Sequence, residues 1–193
     1  AQRMPRWLRQ PLVHVYGRDV VAAIEAVQAE APPLDITPRG AVLPEGLRMP
    51  TGSVRLAEPG QVSTLPGYAE GGWWVQDAAA ALPARLLDVR PGETVLDLCA
   101  APGGKTMQLA GMGAKVTALD RSSSRIKRLN ENLQRMQLED KVTVVTADAS
   151  TWRTKESVPY ILLDAPCSAT GTIRRHPDVP HLKSPQDLPG LLN

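Results

Sequence analysis

The sequence is poor in cysteine and has no long apolar run. Its 193 residues include only two cysteines, Cys99 and Cys167. Two cysteines in motif-like surroundings indicate thiol chemistry in a reducing compartment rather than a disulfide framework, so we expect a cytoplasmic protein. No Cys-x-x-Cys or His-x-x-x-His spacing occurs, and no metal site is predicted. No segment approaches the roughly 18 apolar residues of a membrane-spanning helix, so no membrane partner is expected.

The beginning of the chain lacks a targeting signal. The first residues, AQRMPRWLRQP, have neither an initiator methionine nor the apolar segment of a secretory signal. We therefore expect a fragment or a processed chain. The hydrophobic content of 42% is enough for a core, and the length suits one full domain with a smaller piece.

A strong net charge is also absent, because the formal charge is only +2. Arginine and lysine nevertheless cluster. The segment RSSSRIKRLNENLQRM holds five of them against one glutamate, and TIRRHPDVPHLK holds three, with two histidines, against one aspartate. These clusters permit an anionic partner such as a nucleic acid without requiring one, since a solvated helix face explains the first cluster equally well.

The first part of the chain differs from the rest in composition. Residues 1–62 predict a small α+β module with a helix over residues 20–30, capped by Asp19. LDIT and SVRLA predict short strands between proline and glycine turns. Trp73 and Trp74 follow this module. We expect them to pack in the core or in a lid, with base stacking as the alternative.

From Glu93 onward, short apolar segments alternate with helical ones. TVLDLCA, KVTALD, KVTVVTAD and YILLDA predict four strands. A helix capped by Ser122 or Ser123 is predicted to bury one stripe, formed by Ile126, Leu129, Leu133 and Met136. This alternation predicts an α/β fold with a parallel sheet covered on both faces. Such sheets bind ligands at the carboxyl ends of their strands.

An aspartate lies at or near the end of each predicted strand. These residues are Asp97, Asp120, Asp148 and Asp164. One aspartate in such a place opens a turn or caps a helix, but four at successive strand ends are expected to line one crevice. Asp97, which precedes a loop, is expected to hold that loop through backbone N–H groups.

The loop CAAPGGKT joins the first of these strands to a helix. Gly103 and Gly104 let the backbone approach a ligand closely. GxGxxG and GxxxxGK[ST] are both absent, which disfavours phosphate-rich ligands and a nucleotide-dependent oxidoreductase. Asp120 lies 16 residues after Gly104, close to the position of a ribose-binding carboxylate. A ligand with a ribose and no pyrophosphate fits S-adenosylmethionine, whose adenine amino group Asp148 would bind.

Two long motifs carry a family resemblance. LDLCAAPGGKT followed by LLDAPCSATGTIRRHPD resembles the RNA (cytosine-C5) methyltransferase family, and LPGYAEGGWWVQDAAA resembles the lead-in to that family's first cofactor motif. The resemblance is strong over about residues 63–180. It implies a Rossmann-like class I S-adenosylmethionine-dependent methyltransferase sheet in residues 63–193, incomplete at the C-terminus. The implied reaction is methylation of cytosine C5 in RNA, with 16S ribosomal RNA as the expected substrate.

The resemblance also implies roles for individual residues. Asp120 and Asp148 hold the ribose and adenine ends of the cofactor. Asp164 lies near the methionine end and the target base, where a protonated carboxyl would stabilise the adduct. From its position alone, Lys105 is expected to bind the cofactor carboxylate rather than merely to cap a helix start poorly, since lysine at a helix N-terminus is otherwise unfavourable. The cofactor loop consists of Cys99, Ala100, Ala101, Pro102, Gly103, Gly104 and Lys105.

The two cysteines receive different roles. Cytosine C5 is a poor nucleophile, and a thiolate that adds at C6 of the base activates it by covalent catalysis. From the residues alone, Cys167 is the candidate for this thiol and Cys99 packs within the cofactor loop. The resemblance instead makes Cys167 a helper in product release, and places the nucleophile in a Thr-Cys-Ser motif on a later strand. That motif does not occur in this sequence, so we expect a truncated chain.

Several alternatives remain open at this point. Arg174, Arg175 and His176 are candidates for RNA phosphate contacts, or for ion pairing with Asp178. An amino-methyltransferase is disfavoured, because DAPCS is not the Asn/Asp-Pro-Pro-aromatic turn of those enzymes. The alternative function is a catalytically incomplete fragment or relative that binds S-adenosylmethionine and RNA.

Overall fold

The computed structural model describes residues 4–192. Of these, residues 33–165 form one compact unit, and the residues before 33 and after 165 together form another. The domain boundary predicted between residues 62 and 63 stays a prediction. No helix within residues 4–192 is both long enough and apolar enough to cross a membrane.

The described residues form seven α-helices and eight β-strands. The helices are α1 (Arg6–Tyr16), α2 (Arg18–Gln28), α3 (Leu82–Leu86), α4 (Gly104–Gly111), α5 (Ser123–Met136), α6 (Val179–Leu182) and α7 (Pro189–Leu192). The strands are β1 (Leu34–Pro38), β2 (Leu47–Arg48), β3 (Val54–Leu56), β4 (Trp73–Val75), β5 (Thr94–Leu98), β6 (Lys115–Asp120), β7 (Val142–Thr146) and β8 (Tyr160–Leu163).

Four parallel strands form the sheet that positions the candidate site. Their order is β7-β6-β5-β8, and each pair is parallel. The α/β class and all four strands predicted from the apolar segments are therefore confirmed. Because β6 pairs with one side of β5 and β8 with the other, the strand order switches direction between β5 and β8. In open parallel sheets this switch leaves a crevice at the carboxyl ends of the two strands.

Helix α5 shows how the sequence pattern builds the unit. Its N-cap is Ser122, whose side chain accepts a hydrogen bond of 3.4 Å from the backbone N–H of Arg125. The predicted apolar stripe is confirmed, because Ile126, Leu129, Leu133 and Met136 are all buried. Burying such a side chain contributes roughly 1.5–3 kcal/mol relative to leaving it exposed. This stripe fixes the helix against the same core as the loop that precedes α4.

The smaller sheet of this unit is antiparallel, in the order β2-β3-β1-β4. β1 and β3 confirm the strands predicted at LDIT and SVRLA. Asp35 is fully buried and pairs with Arg55 across these strands, through bonds of 2.7 and 2.9 Å from Nε and Nη2. These two parallel hydrogen bonds from the guanidinium compensate the charge of the buried carboxylate. Trp73 and Trp74 on β4 are only 0% and 3% exposed, so their predicted core packing is confirmed.

The second unit contains α1, α2, α6 and α7. Val21 of α2 packs in a small apolar cluster with Met4 and Ile173. The helix predicted over residues 20–30 is confirmed as α2, but Asp19 does not cap it. Gly17 occupies the N-cap position, and Asp19 lies in the first turn, where its charge still suits the helix dipole. Helix α1, which contains Pro11, was not predicted from the sequence.

Candidate functional site

A cavity of about 170 Å³ opens at the carboxyl ends of β5 and β8. This is the switch point of the parallel sheet, where ligands are expected. Its walls come from the end of β5 and the loop after it, the start of α4, the segment after β4 and the residue after β8. They are Gln76, Asp77, Ala80, Asp97, Cys99, Ala100, Ala101, Pro102, Gly104, Lys105 and Asp164. Most of the predicted cofactor loop therefore lies on one cavity.

The shape of the cofactor loop depends on Gly103. This residue has φ +105°, a left-handed conformation, and is the N-cap of α4. A Cβ added to Gly103 would collide with Cδ1 of Leu129, which is fully buried. At Gly104 the nearest atom to an added Cβ is Nε2 of Gln76, at 3.9 Å. The first glycine is thus required by packing and conformation, whereas the second leaves open space on the cavity wall.

Asp97 is the most unusual group on the cavity wall. Its side chain is buried, at 1% exposure, and Oδ2 accepts a 2.5 Å hydrogen bond from the Thr106 hydroxyl. Its other oxygen, Oδ1, is buried without any hydrogen-bond partner among the described residues. Burial raises the pKa of Asp97 to about 6, and the bond from Thr106 opposes that rise. The prediction that Asp97 holds the loop through backbone N–H groups is wrong, because its partner is a hydroxyl.

Lys105 and Asp164 form an ion pair on the cavity wall. Nζ of Lys105 lies 2.6 Å from Oδ2 of Asp164, and the two side chains are 17% and 60% exposed. The backbone places Asp164 here, because its N–H donates to the carbonyl of Leu98 on β5 at 3.4 Å. The lysine at the start of α4 thus has a carboxylate partner within the chain, and its predicted bond to a cofactor carboxylate stays a prediction.

Asp120 lies at the end of β6 but does not line the cavity. Its carboxylate is only 2% exposed. Oδ2 accepts from the backbone N–H of Ala101 at 3.1 Å and lies 3.2 Å from Nη1 of Arg125, and Oδ1 accepts from the N–H of Ser122 at 2.9 Å. In this structure the carboxylate of Asp120, which is predicted to bind the ribose, therefore binds the backbone of the cofactor loop.

Asp148 lies two residues beyond the end of β7 and is exposed. One oxygen accepts from both the hydroxyl and the backbone N–H of Ser150, at 2.7 and 2.9 Å. These bonds, the hydroxyl first, lower the pKa of Asp148 below its ordinary value. The four aspartates thus share one edge of the sheet, but only Asp97 and Asp164 belong to the cavity wall.

Cys99 is half-buried on the cavity wall and has φ +65°. Burial raises the pKa of its thiol, and the negative charge of Asp120 adds to the rise while the charge of Arg125 opposes it. A thiol with a raised pKa has little thiolate near neutral pH. This supports the prediction that Cys99 is a packing residue of the loop.

Cys167 belongs to the other unit and is exposed. Its sulfur accepts a 3.3 Å hydrogen bond from the backbone N–H of Ala169.

In the same unit, Arg174 lies 3.4 Å from a carboxylate oxygen of Glu30 and donates to the carbonyl of Ala31 at 3.1 Å. The carboxylate partner of Arg174 is therefore Glu30, and not Asp178, the partner that the sequence offered as an alternative to RNA phosphate.

Gln76 forms a polar part of the cavity wall that was not predicted from the sequence. Its Oε1 accepts from Thr37 at 2.6 Å and from the Trp74 indole at 3.1 Å, while its Nε2 donates to Gln108 at 3.0 Å. These partners come from β1, β4 and α4. A single glutamine after WWV carries no signal of such a network, because the partners are distant in sequence.

The sequence of this chain resembles those of known proteins. Residues 84–193 match the family described as 16S rRNA methyltransferase RsmB/F. Ribosomal RNA small subunit methyltransferase B of Pseudomonas putida is 48% identical over 141 residues, which cover 70% of this chain and 32% of that protein. The protein of the same name from Yersinia pseudotuberculosis is 41% identical over 193 residues, which cover 98% of this chain and 42% of that protein. The chain thus spans less than half the length of these relatives.

Among solved structures, the crystal structure of PH0851 is similar over almost the whole chain. The superposition has a TM-score of 0.85 at 27% sequence identity, and it covers 97% of this chain and 47% of that chain. The likeness therefore includes the small antiparallel sheet as well as the parallel one.

Proposed function

The chain belongs to the 16S rRNA methyltransferase RsmB/F family, and on that premise we propose that it forms the cofactor-binding part of an RNA methyltransferase. The complete protein would methylate C5 of cytosine in 16S ribosomal RNA, with S-adenosylmethionine as the methyl donor. RNA is the proposed partner and the cytoplasm the proposed location. When bound, the cofactor supplies a methyl group on a positively charged sulfur.

The observation that carries this proposal is the orphaned oxygen of Asp97 on the cavity wall. A buried acceptor without a donor is unfavourable by about 1–3 kcal/mol, and by more when it is charged. An ammonium group on a ligand would satisfy Oδ1 and compensate the carboxylate charge. The methionine end of S-adenosylmethionine carries such an ammonium group, so the residues present fit this cofactor.

The size of the cavity limits how much of the cofactor it encloses. Its volume of about 170 Å³ is below the roughly 300–1,000 Å³ of pockets that enclose a drug-sized ligand. We therefore assign it to the methionine end. The rest of the cofactor would extend along the strand ends toward β6 and β7, where Asp120 and Asp148 lie. Asp148 is exposed, and its second carboxylate oxygen accepts no hydrogen bond from residues 4–192, which suits the proposed contact with the adenine amino group.

The loop residues would act mainly by shape. Gly103 turns the backbone into α4, so that Gly104 presents no side chain to the cavity. Lys105 and Asp164 carry opposite charges on the cavity wall, and they would meet the cofactor carboxylate and the target base respectively. Cys99 contributes an uncharged wall.

Calorimetry with S-adenosylmethionine tests the proposal directly. We expect the chain to bind the cofactor at a single site. The variant Gly104→Val should bind at least about tenfold more weakly, equivalent to 1.4 kcal/mol, because it adds three carbon atoms to the cavity wall. Gly111→Val is the matched control, since it lies at the other end of α4 with open space around its Cβ position. Absence of binding by the unmodified chain would refute the proposed cofactor role.

Cys167 should affect catalysis without affecting cofactor binding. Its side chain is exposed, and its one described hydrogen bond is local. We expect Cys167→Ala to leave the dissociation constant for S-adenosylmethionine within about twofold, a difference below 0.5 kcal/mol. In the complete enzyme the same change should slow release and accumulate a covalent RNA adduct, visible on a denaturing gel. Loss of cofactor binding in Cys167→Ala would contradict the helper role.

A further inference from the structure

Arg125 touches two parts of the candidate site from the first turns of α5. Its Nη1 lies 3.2 Å from Oδ2 of Asp120, and its Nη2 donates a hydrogen bond to the carbonyl oxygen of Ala101. The Arg125 side chain is 48% exposed, whereas that of Asp120 is only 2% exposed. One guanidinium therefore joins a buried carboxylate to the backbone of the cofactor loop.

Ala101 is held at both of its backbone groups by this ion pair. Its N–H donates to Oδ2 of Asp120 at 3.1 Å, and its carbonyl accepts from Arg125. Ala101 is itself 2% exposed and forms part of the cavity wall. The planar fork of arginine suits this task, because its N–H groups point in fixed directions toward two acceptors.

We propose that Arg125 is a positioning residue that fixes the cofactor loop by clamping Ala101 together with Asp120. This inference rests on the proposed function. Arg125 does not itself line the cavity, so its influence on the cofactor passes through the loop. Asp120 would then serve the cofactor first as the buried anchor of that loop.

The charges around Cys99 give an independent readout of the clamp. The negative charge of Asp120 raises the pKa of the Cys99 thiol, and the positive charge of Arg125 lowers it. Neutralising Arg125 removes the opposing effect and leaves Asp120 less compensated. A variant without the guanidinium should therefore have a higher Cys99 pKa, which a purely packing role of Arg125 would not produce.

The test compares Arg125→Gln, Arg125→Lys and Arg128→Gln. Arg128 lies in the same helix and is exposed, and its side chain makes no ion pair or hydrogen bond with any of residues 4–192, so it is the matched control. We expect Arg125→Gln to raise the dissociation constant for S-adenosylmethionine about tenfold, since a charge-assisted hydrogen bond is lost. Arg125→Lys should recover part of this affinity, because it restores the charge but not the fork. Arg128→Gln should bind like the unmodified chain.

The second measurement is the rate of Cys99 alkylation as a function of pH. It is made in a Cys167→Ser background, where Cys99 is the only thiol in the sequence. Arg125→Gln should shift the alkylation profile to higher pH, and Arg125→Lys and Arg128→Gln should leave it near its original position.

The outcomes separate this inference from the proposed function. If the unmodified chain does not bind S-adenosylmethionine, the proposed function fails and the alkylation profile alone decides the clamp. An unchanged profile in folded Arg125→Gln overturns the clamp, as does an unchanged cofactor affinity where the unmodified chain binds. Should Arg125→Gln fail to fold, Arg125→Lys is decisive: the clamp requires it to bind more weakly than the unmodified chain, and equal binding overturns the inference.

Discussion

Replacing Gly103 with alanine is expected to lower the free energy of unfolding by about 2–5 kcal/mol. An L-residue at φ +105° is strained by roughly 1–2 kcal/mol relative to glycine. Overpacking a core adds typically 1–3 kcal/mol, and here the new methyl group collides with Leu129, which is fully buried. Leu129 cannot move without disturbing the stripe that holds α5 in the core. Urea denaturation followed by circular dichroism measures the change.

Gly104→Ala is the control for this prediction. Its backbone is not left-handed, and the added methyl group would lie 3.9 Å from Nε2 of Gln76, an ordinary contact. We expect a change in unfolding free energy of less than about 1 kcal/mol, in the stabilising direction, because alanine restricts the unfolded chain more than glycine does. Equal destabilisation by Gly103→Ala and Gly104→Ala would show that the conformation of Gly103 is not what fixes the loop.

Much of the parallel sheet was predictable because its signals are local. Each strand is a short apolar segment, and each is followed by a polar turn, so a reader of the sequence needs no long-range information to locate it. The stripe on α5 is likewise a repeat within 14 residues. The shared edge of the four aspartates follows from parallel pairing alone, since the carboxyl ends of such strands lie on the same side.

The different contacts that those aspartates make were not predictable from the sequence. Asp97 and Asp120 both follow apolar strand residues, yet one has an orphaned oxygen on the cavity wall and the other is bound to Ala101 and Arg125. The difference depends on how the loop after β5 folds back onto the end of β6. The contact that holds the loop there joins Ala101 to Asp120, which are 19 residues apart, and no spacing rule in the sequence predicts it.

The second unit illustrates the same limit over a longer distance. Arg174 interacts with Glu30 and Ala31, which are 144 and 143 residues away in the chain. From the sequence, the neighbouring Asp178 was the natural candidate for an ion pair. Proximity in sequence is a weak guide for long, flexible side chains, because a folded chain offers them many partners at similar cost.

Asp97→Asn is expected to change stability and cofactor affinity in opposite directions. The pKa of Asp97 is raised from 3.8 to about 6 in the folded chain. Between these values the folded state binds more protons than the unfolded state, so the contribution of Asp97 to stability is present below pH 4 and is lost as the pH rises through about 6. A shift of this size corresponds to about 3 kcal/mol. Asparagine stays neutral, so the variant should be more stable than the unmodified chain by up to about that amount at pH 8, and similar to it at pH 4.

Denaturation at pH 4, 6 and 8 checks this difference. Asp88→Asn is the control, because Asp88 is an exposed carboxylate in a left-handed conformation that asparagine also tolerates. The stability of Asp88→Asn relative to the unmodified chain should vary little between pH 4 and pH 8. A difference for Asp97→Asn that stays constant from pH 4 to pH 8 would show that Asp97 does not titrate as a buried, uncompensated acid.

The same substitution, Asp97→Asn, should weaken cofactor binding although it increases stability. If the ammonium group of S-adenosylmethionine supplies the donor missing at Oδ1, Asp97→Asn loses a charge-assisted hydrogen bond of about 1.5–3 kcal/mol, a roughly 10- to 100-fold weaker affinity at pH 8. The unmodified chain should also bind more weakly as the pH falls below about 6, where Asp97 takes up a proton. Calorimetry at pH 5 and pH 8 measures both effects. If Asp97→Asn gains stability and keeps its affinity for S-adenosylmethionine, the carboxylate is merely an unfavourable part of the core. If the variant gains stability and loses affinity, the unfavourable burial of this carboxylate is retained because it binds the ligand.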